Sequence, residues 1–247
     1  MQPTVAPFTK TVKALVITNV VIWVVGVLIL QGIFLKNSFL FQTFGLVPDR
    51  FLFNFWFWHP FTYMFVHSGS VFHILFNMLI LWWFGSELEM KWGQKFFLSY
   101  YLISGIGAAL IYLIFVFIYS FITGDPLPLM APVVGASGAA YGLLLAYGIL
   151  FGERVIYFMM MFPMKAKFFV LIIGVVELVT LLDSGFSSGV ANLAHLGGIA
   201  SGFLVLKYWT SWRLKGFKKS VSDQKRRLRL VVNNEKEDDK SGPKYWN

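Results

Sequence analysis

Residues 14–35 form a run of 22 residues between Lys13 and Lys36 without a single charge. A helix rising ~1.5 Å per residue crosses a ~30 Å hydrocarbon core over such a length. The run is too long for a signal-peptide core and no small-residue cleavage site follows it, so it is read as a retained first span. Further apolar runs occupy 71–85, 96–122, 135–151, 168–182 and 190–209. The expected fold class is therefore an all-α polytopic membrane protein, a bundle of six transmembrane helices. Its domains are a short N-terminal segment (1–13), a membrane domain (14–212) and a basic tail (213–247), partly disordered.

The net charge of +9 does not point to nucleic acid, because 12 of the 21 Lys and Arg lie at or after Lys207, beyond the last apolar run. Basic residues in the N-terminal segment, two short connectors and the tail put both termini in the cytoplasm, since short positively charged loops are retained inside. Only Lys36 and Arg50 then lie outside. The tail cluster Lys225-Arg226-Arg227 with Arg229 suits an anionic-lipid contact and equally a solvated flank. Zero cysteines exclude a thiol nucleophile and thiolate metal ligands.

Residues 36–70 are long and aromatic, with Phe51 to Trp58 at their centre and Pro60 against a continuous span. Trp and Phe prefer the membrane interface, so the segment is expected to lie there, although a re-entrant loop reads similarly. His59 and His67 read equally well as interfacial polar groups and as functional ones. Between the second and third spans a charged connector with Glu87, Glu89, Lys91 and Lys95 is expected. Residues 183–189 read as a polar turn.

Polar side chains inside apolar spans are costly and become functional candidates. His73 and Asn77 sit one turn apart on one helix face, Ser137 at the first turn of the fourth span, and His195 near the start of the sixth. Spans two, four and six run in the same direction, so these four residues share the outer half of the bilayer. An imidazole able to take a proton from a hydroxyl near neutral pH makes that hydroxyl a nucleophile. Helix N-terminal N–H groups beside Ser137 suit an oxyanion. Gly198 and Gly202, four apart, allow close helix approach, as do Gly135 and Gly138 around the serine. Taken alone, each element also has a packing reading, and Asn77 can equally bond across helices. Glu177, the one acid within the six runs, has no partner legible in the sequence.

Three motifs together, His73-Ile74-Leu75-Phe76-Asn77, Gly135-Ala136-Ser137-Gly138 and Ala194-His195-Leu196-Gly197-Gly198, resemble those of the rhomboid family of intramembrane serine proteases. The resemblance spans about residues 58–202 and departs at Trp58-His59, where many members have Trp-Arg. It implies a Ser137/His195 dyad without a carboxylate, and an oxyanion hole from His73, Asn77 and the Ser137 N–H. It further implies that His195 packs on Tyr141 and that Gly198 and Gly202 form a close helix contact. By the same resemblance the 36–70 segment is a membrane-lying first loop, the fourth helix is short beneath a water-filled cavity, and the partners are single-span membrane proteins. The expected setting is a bacterial inner membrane with the site opening outward, and neither cofactor nor metal is expected. The alternative is a non-catalytic rhomboid-like binder of transmembrane clients. Zinc and aspartyl intramembrane proteases are disfavoured, because there is no His-Glu-x-x-His and Asp125 and Asp183 read as loop residues.

Overall fold

The computed structural model describes residues 7–158, 162–188 and 191–209. Among them, three helices are long and apolar enough to cross a membrane by length and composition: α1 (Lys10–Leu35), α5 (Val71–Trp92) and α6 (Gln94–Thr123). Between α1 and α5 lie three short helices, α2 (Phe39–Phe44), α3 (Pro48–Asn54) and α4 (His59–Thr62). After α6 come α7 (Leu127–Met130) and the apolar α8 (Ser137–Leu150). Antiparallel strands β1 (Val155–Phe158) and β2 (Phe162–Lys165) follow, then α9 (Ala166–Ser188) and helical residues 191–209, here α10. The basic tail, with its Lys225-Arg226-Arg227 cluster, lies outside the described residues.

α5, α6 and α9 all pack against α8. Its 14 residues reach only ~21 Å, short of the ~30 Å core. Eight of them, from Gly138 to Tyr147, are buried, as expected of a helix that is apolar all round. Small residues set the separations. A Cβ at Gly142 would lie 2.8 Å from Ser104 Cβ of α6, and one at Gly148 would lie 3.0 Å from Val170 of α9. Tyr100 donates its hydroxyl to Gly142 O at 2.8 Å, and Ser201 of α10 donates to Ser104 O at 2.8 Å. These bonds give buried hydroxyls carbonyl partners and cross-link α6 to α8 and α10.

The charged connector expected after the second span is instead helical. α5 runs on through Glu87, Glu89 and Lys91, and Gly93 alone joins it to α6. Gly93 has φ +80°, a conformation that disfavours any side chain. Glu89 is buried because it is used: its carboxylate accepts Thr9 Oγ1 at 2.5 Å and the Thr11 and Val12 N–H groups at 3.0 Å. Those are donors that the first turn of α1 leaves unsatisfied. Glu87 pairs with Arg154, and Glu153 with Lys165 and Lys167. The two lysines hold the Glu153 carboxyl down at about 2.

The 36–70 segment presents Phe53, Phe55, Phe57, Trp58 and Phe61 outward, all exposed. Its other face is fastened down. Gln31 Oε1 accepts the Leu40 N–H at 2.7 Å, and Trp23 Nε1 donates to Ser68 O at 2.8 Å. Contrary to the interfacial reading, His59 and His67 are both fully buried. His59 Nδ1 accepts the Val47 N–H at 3.4 Å while Nε2–H donates to Thr43 O at 3.2 Å, so a neutral imidazole clasps the loop at two points. Burial pushes the His59 pKa below its usual value. The position where the resemblance departs from Trp-Arg thus carries an anchor of its own kind.

One further reading is corrected. Residues 183–188 continue α9 rather than forming a turn. Ser, Gly and Asp each cost a helix under about 1 kcal/mol, too little to stop a long one. Gly189 lies outside the described residues. The β1–β2 hairpin, pairing Val155 with Lys165, was not anticipated. Its strands are four residues each and too short for a period-2 signal.

Candidate active site

The strand-like stretch entering α8 is pinned from three directions. Leu46 and Val133 exchange backbone hydrogen bonds at 2.8 and 2.9 Å, and the Gly135 N–H donates to Tyr63 O at 2.9 Å. The Ala136 N–H donates to His67 Nε2 at 3.3 Å. Burial, and next the neighbouring His73, push the His67 pKa down to about 3, so the ring stays neutral and able to accept. Gly135 has φ +127°, and a Cβ there would stand 2.8 Å from His73 Nε2. Glycine therefore admits both the turn and the ring.

Ser137, the first residue of α8, has its Oγ 2.8 Å from His195 Nε2. Tyr141, one turn further along the same face, lies parallel to the imidazole, with centroids 4.2 Å apart and planes at 8°. Small residues make that closeness possible. A Cβ at Gly198 would overlap Gly138 O of α8, and one at Gly202 would lie 3.0 Å from Gly142 Cα. Gly138 is itself confined, its Cβ position 2.9 Å from both Ala108 Cβ and Tyr63 Oη.

His73 approaches from α5. Its Nδ1 receives the Ser68 N–H at 3.3 Å, with Ser68 Oγ at 2.8 Å. A backbone N–H can only donate, so Nδ1 accepts and a neutral ring carries its proton on Nε2, the atom beside Gly135. Asn77 behaves differently. It is buried and Nδ2 donates to His73 O of its own helix at 2.8 Å. The second N–H of that amide and its buried Oδ1 are left without a partner among the described residues.

The far edge of the His195 ring meets a carboxylate. Nδ1 is 3.0 Å from Glu177 Oε2 of α9, an ion-pair distance outside hydrogen-bond alignment. Tyr141 donates its hydroxyl to Glu177 Oε1, and Asn192 Nδ2 donates to Oε2 at 2.6 Å. The sequence left Glu177 without a partner and did not single out Asn192. The available signal was spacing, since Asn192 and His195 are three apart on one helix face.

The structure thus brings Ser137, His195, His73 and Tyr141 together, lined by Gly135, Gly138, Gly198 and Gly202. An alcohol beside an imidazole, at a helix start with unsatisfied N–H groups, is suited to attack on an acyl carbon. A family model described as the rhomboid domain matches residues 54–212, more than half of the chain and the whole of this cluster. The chain belongs to the rhomboid family. It is 34% identical to RHOMBOID-like protein 1 of Arabidopsis thaliana over 149 residues, covering 60% of this chain and 33% of that protein. It is 32% identical over 155 residues to Rhomboid protease AarA of Providencia stuartii, 61% of this chain and 54% of the relative. Rhomboid protease GluP of Bacillus subtilis (strain 168) is 30% identical over 152 residues, 59% of this chain and 25% of that one. The chain spans between a quarter and about half of the length of these three rhomboid relatives.

Proposed function

We propose that this rhomboid is an intramembrane serine endopeptidase, cleaving single-span membrane proteins in or near their transmembrane segment. The observation that carries the reading is the 2.8 Å contact between Ser137 Oγ and His195 Nε2 at the start of α8. His195 Nε2 takes the hydroxyl proton as Ser137 Oγ attacks the scissile carbonyl carbon. Negative charge then develops on the carbonyl oxygen. The Ser137 N–H, the His73 Nε2–H and the free N–H of Asn77 are the donors assigned to it. Collapse expels the amine, which leaves with the proton from His195, and an acyl-enzyme on Ser137 remains. Water, deprotonated by the same ring, attacks the ester carbon and frees the serine.

The substrate helix has to open locally first, because a helical carbonyl is already hydrogen-bonded. The short α8 supports a site sunk below the membrane surface and reached by water, where polar groups are tolerated. In this reading six spans place both termini in the cytoplasm of a bacterial inner membrane, and the site faces outward.

The experiment pairs labelling with turnover in proteoliposomes. A fluorophosphonate is expected to label the wild type and neither Ser137→Ala nor heat-unfolded protein. His195→Ala is expected to abolish cleavage of a reconstituted single-span substrate while the protein stays monodisperse. Labelling of Ser137→Ala at the wild-type level overturns the nucleophile assignment.

A further inference from the structure

The geometry points to Glu177 as the orienting carboxylate of His195, turning the serine–histidine pair into a Ser137–His195–Glu177 triad. The inference rests on the protease reading above and goes beyond the two-residue site that the family resemblance implies.

An acidic side chain within an apolar helix is costly unless it is paired and hydrogen-bonded. Glu177 meets that condition with groups from the active site. Tyr141 Oη donates to one oxygen, while Asn192 Nδ2 and the edge of His195 face the other, and the side chain is only 11% exposed. Tyr141 therefore does two things at once. Its ring face carries the imidazole and its hydroxyl holds the carboxylate, so ring orientation and carboxylate position are set by one residue.

The consequence is tautomeric. For Nε2 to accept the Ser137 proton its lone pair must face Oγ, which requires a neutral ring protonated on Nδ1. A carboxylate 3.0 Å from Nδ1 favours that form. When Nε2 takes the serine proton, the ring becomes a cation next to an anion already in place. The attraction is strongest in the transition state and so lowers the barrier rather than strengthening substrate binding. Glu177 itself takes up no proton, and touches neither substrate nor Ser137. It is a positioning residue.

The test uses the full chain in proteoliposomes with a single-span substrate, and rates are divided by the concentration of fluorophosphonate-titrated sites. Glu177→Gln keeps the shape and removes the charge; it is expected to lower kcat roughly 100-fold with KM within twofold, a milder loss than in soluble triads because the Tyr141 stack persists. Glu177→Asp should recover part of the rate. Nitrogen-15 NMR of histidine-labelled wild type and Ser137→Ala should show His195 protonated at Nδ1. A kcat within twofold of wild type in both Glu177→Gln and Glu177→Ala overturns the proposal. So does a variant with fewer titratable sites but normal kcat per site, which marks a purely structural residue. Should the variants fail to fold, an Nε2-protonated His195 in the wild type overturns it without them. Failure of the protease reading looks different: Ser137→Ala labels or cleaves, whatever Glu177 does.

Discussion

Replacing Gly198 by alanine tests whether helix contact sets the chemistry. A Cβ at this position overlaps Gly138 O and comes within 2.8 Å of Gly138 C and 3.1 Å of Gly138 Cα. All three are backbone atoms of α8, so no rotamer change relieves the clash and the helices must part. Carbon–carbon contact near ~3.5 Å requires about 0.7 Å of separation, and the oxygen demands more. His195 lies one turn before Gly198 on the same helix and moves with it. Its 2.8 Å bond to Ser137 Oγ stretches to roughly 3.5 Å, past hydrogen-bond length. Misplacement on the ångström scale costs on the order of 10²-fold in rate, and overpacking costs about 1–3 kcal/mol of stability. The assay is cleavage of a reconstituted single-span substrate alongside fluorophosphonate labelling, with thermal unfolding to report the folded fraction. Gly174→Ala in α9 is the control, because its Cβ would meet only Ile199 Cδ1 at an ordinary 3.8 Å. It should keep full activity and gain up to about 1 kcal/mol from helix propensity. Wild-type turnover by folded Gly198→Ala refutes the link from helix separation to catalysis.

Asn77→Ala is expected to slow cleavage by about 10²- to 10³-fold if the free N–H of its amide reaches the oxyanion; an unchanged rate assigns Asn77 to its bond with His73 O. Glu89→Ala removes the acceptor for Thr9, Thr11 and Val12 and should cost about 1–3 kcal/mol in thermal unfolding, with kcat per folded molecule unchanged. Stability should also fall with acid. His67 titrates at about 3 when folded against 6.5 in the open chain, so below pH 6.5 the unfolded state binds a proton that the folded state refuses. The protein is at full stability above that pH and loses about 1 kcal/mol from this group between pH 6.5 and 5.5, continuing toward pH 3. His59, lowered in the same direction, adds to the slope. A pH series of unfolding midpoints checks this, and His67→Gln should flatten it.

Particular residues show where the sequence was legible. Residues 14–35, 71–85 and 96–122 announce their helices through unbroken hydrophobicity, and α1, α5 and α6 extend each run by a few residues into polar flanks. Charge at Glu87–Lys91 reads in the sequence as a break, whereas the Glu89 carboxylate closes the first turn of α1. Polar residues among aromatics, as His59 and His67 are, suit an interface in the sequence alone. Their burial depends on backbone N–H groups at Val47 and Ala136, the latter 69 residues away in the chain. Glu177 was the plainest anomaly and the least interpretable one.

By itself the sequence determined a helical membrane protein of the rhomboid family and singled out Ser137, His73 and His195 as polar residues in apolar surroundings. Hydrophobic run length and small-residue spacing are local properties, and they survive without knowledge of the fold. Only the tertiary structure decided that Glu177 and Asn192 join Tyr141 around one imidazole. Whether three side chains on three helices converge depends on how each helix is rotated and shifted against its neighbours. That register is set by contacts such as Gly198 on Gly138, between residues 60 positions apart.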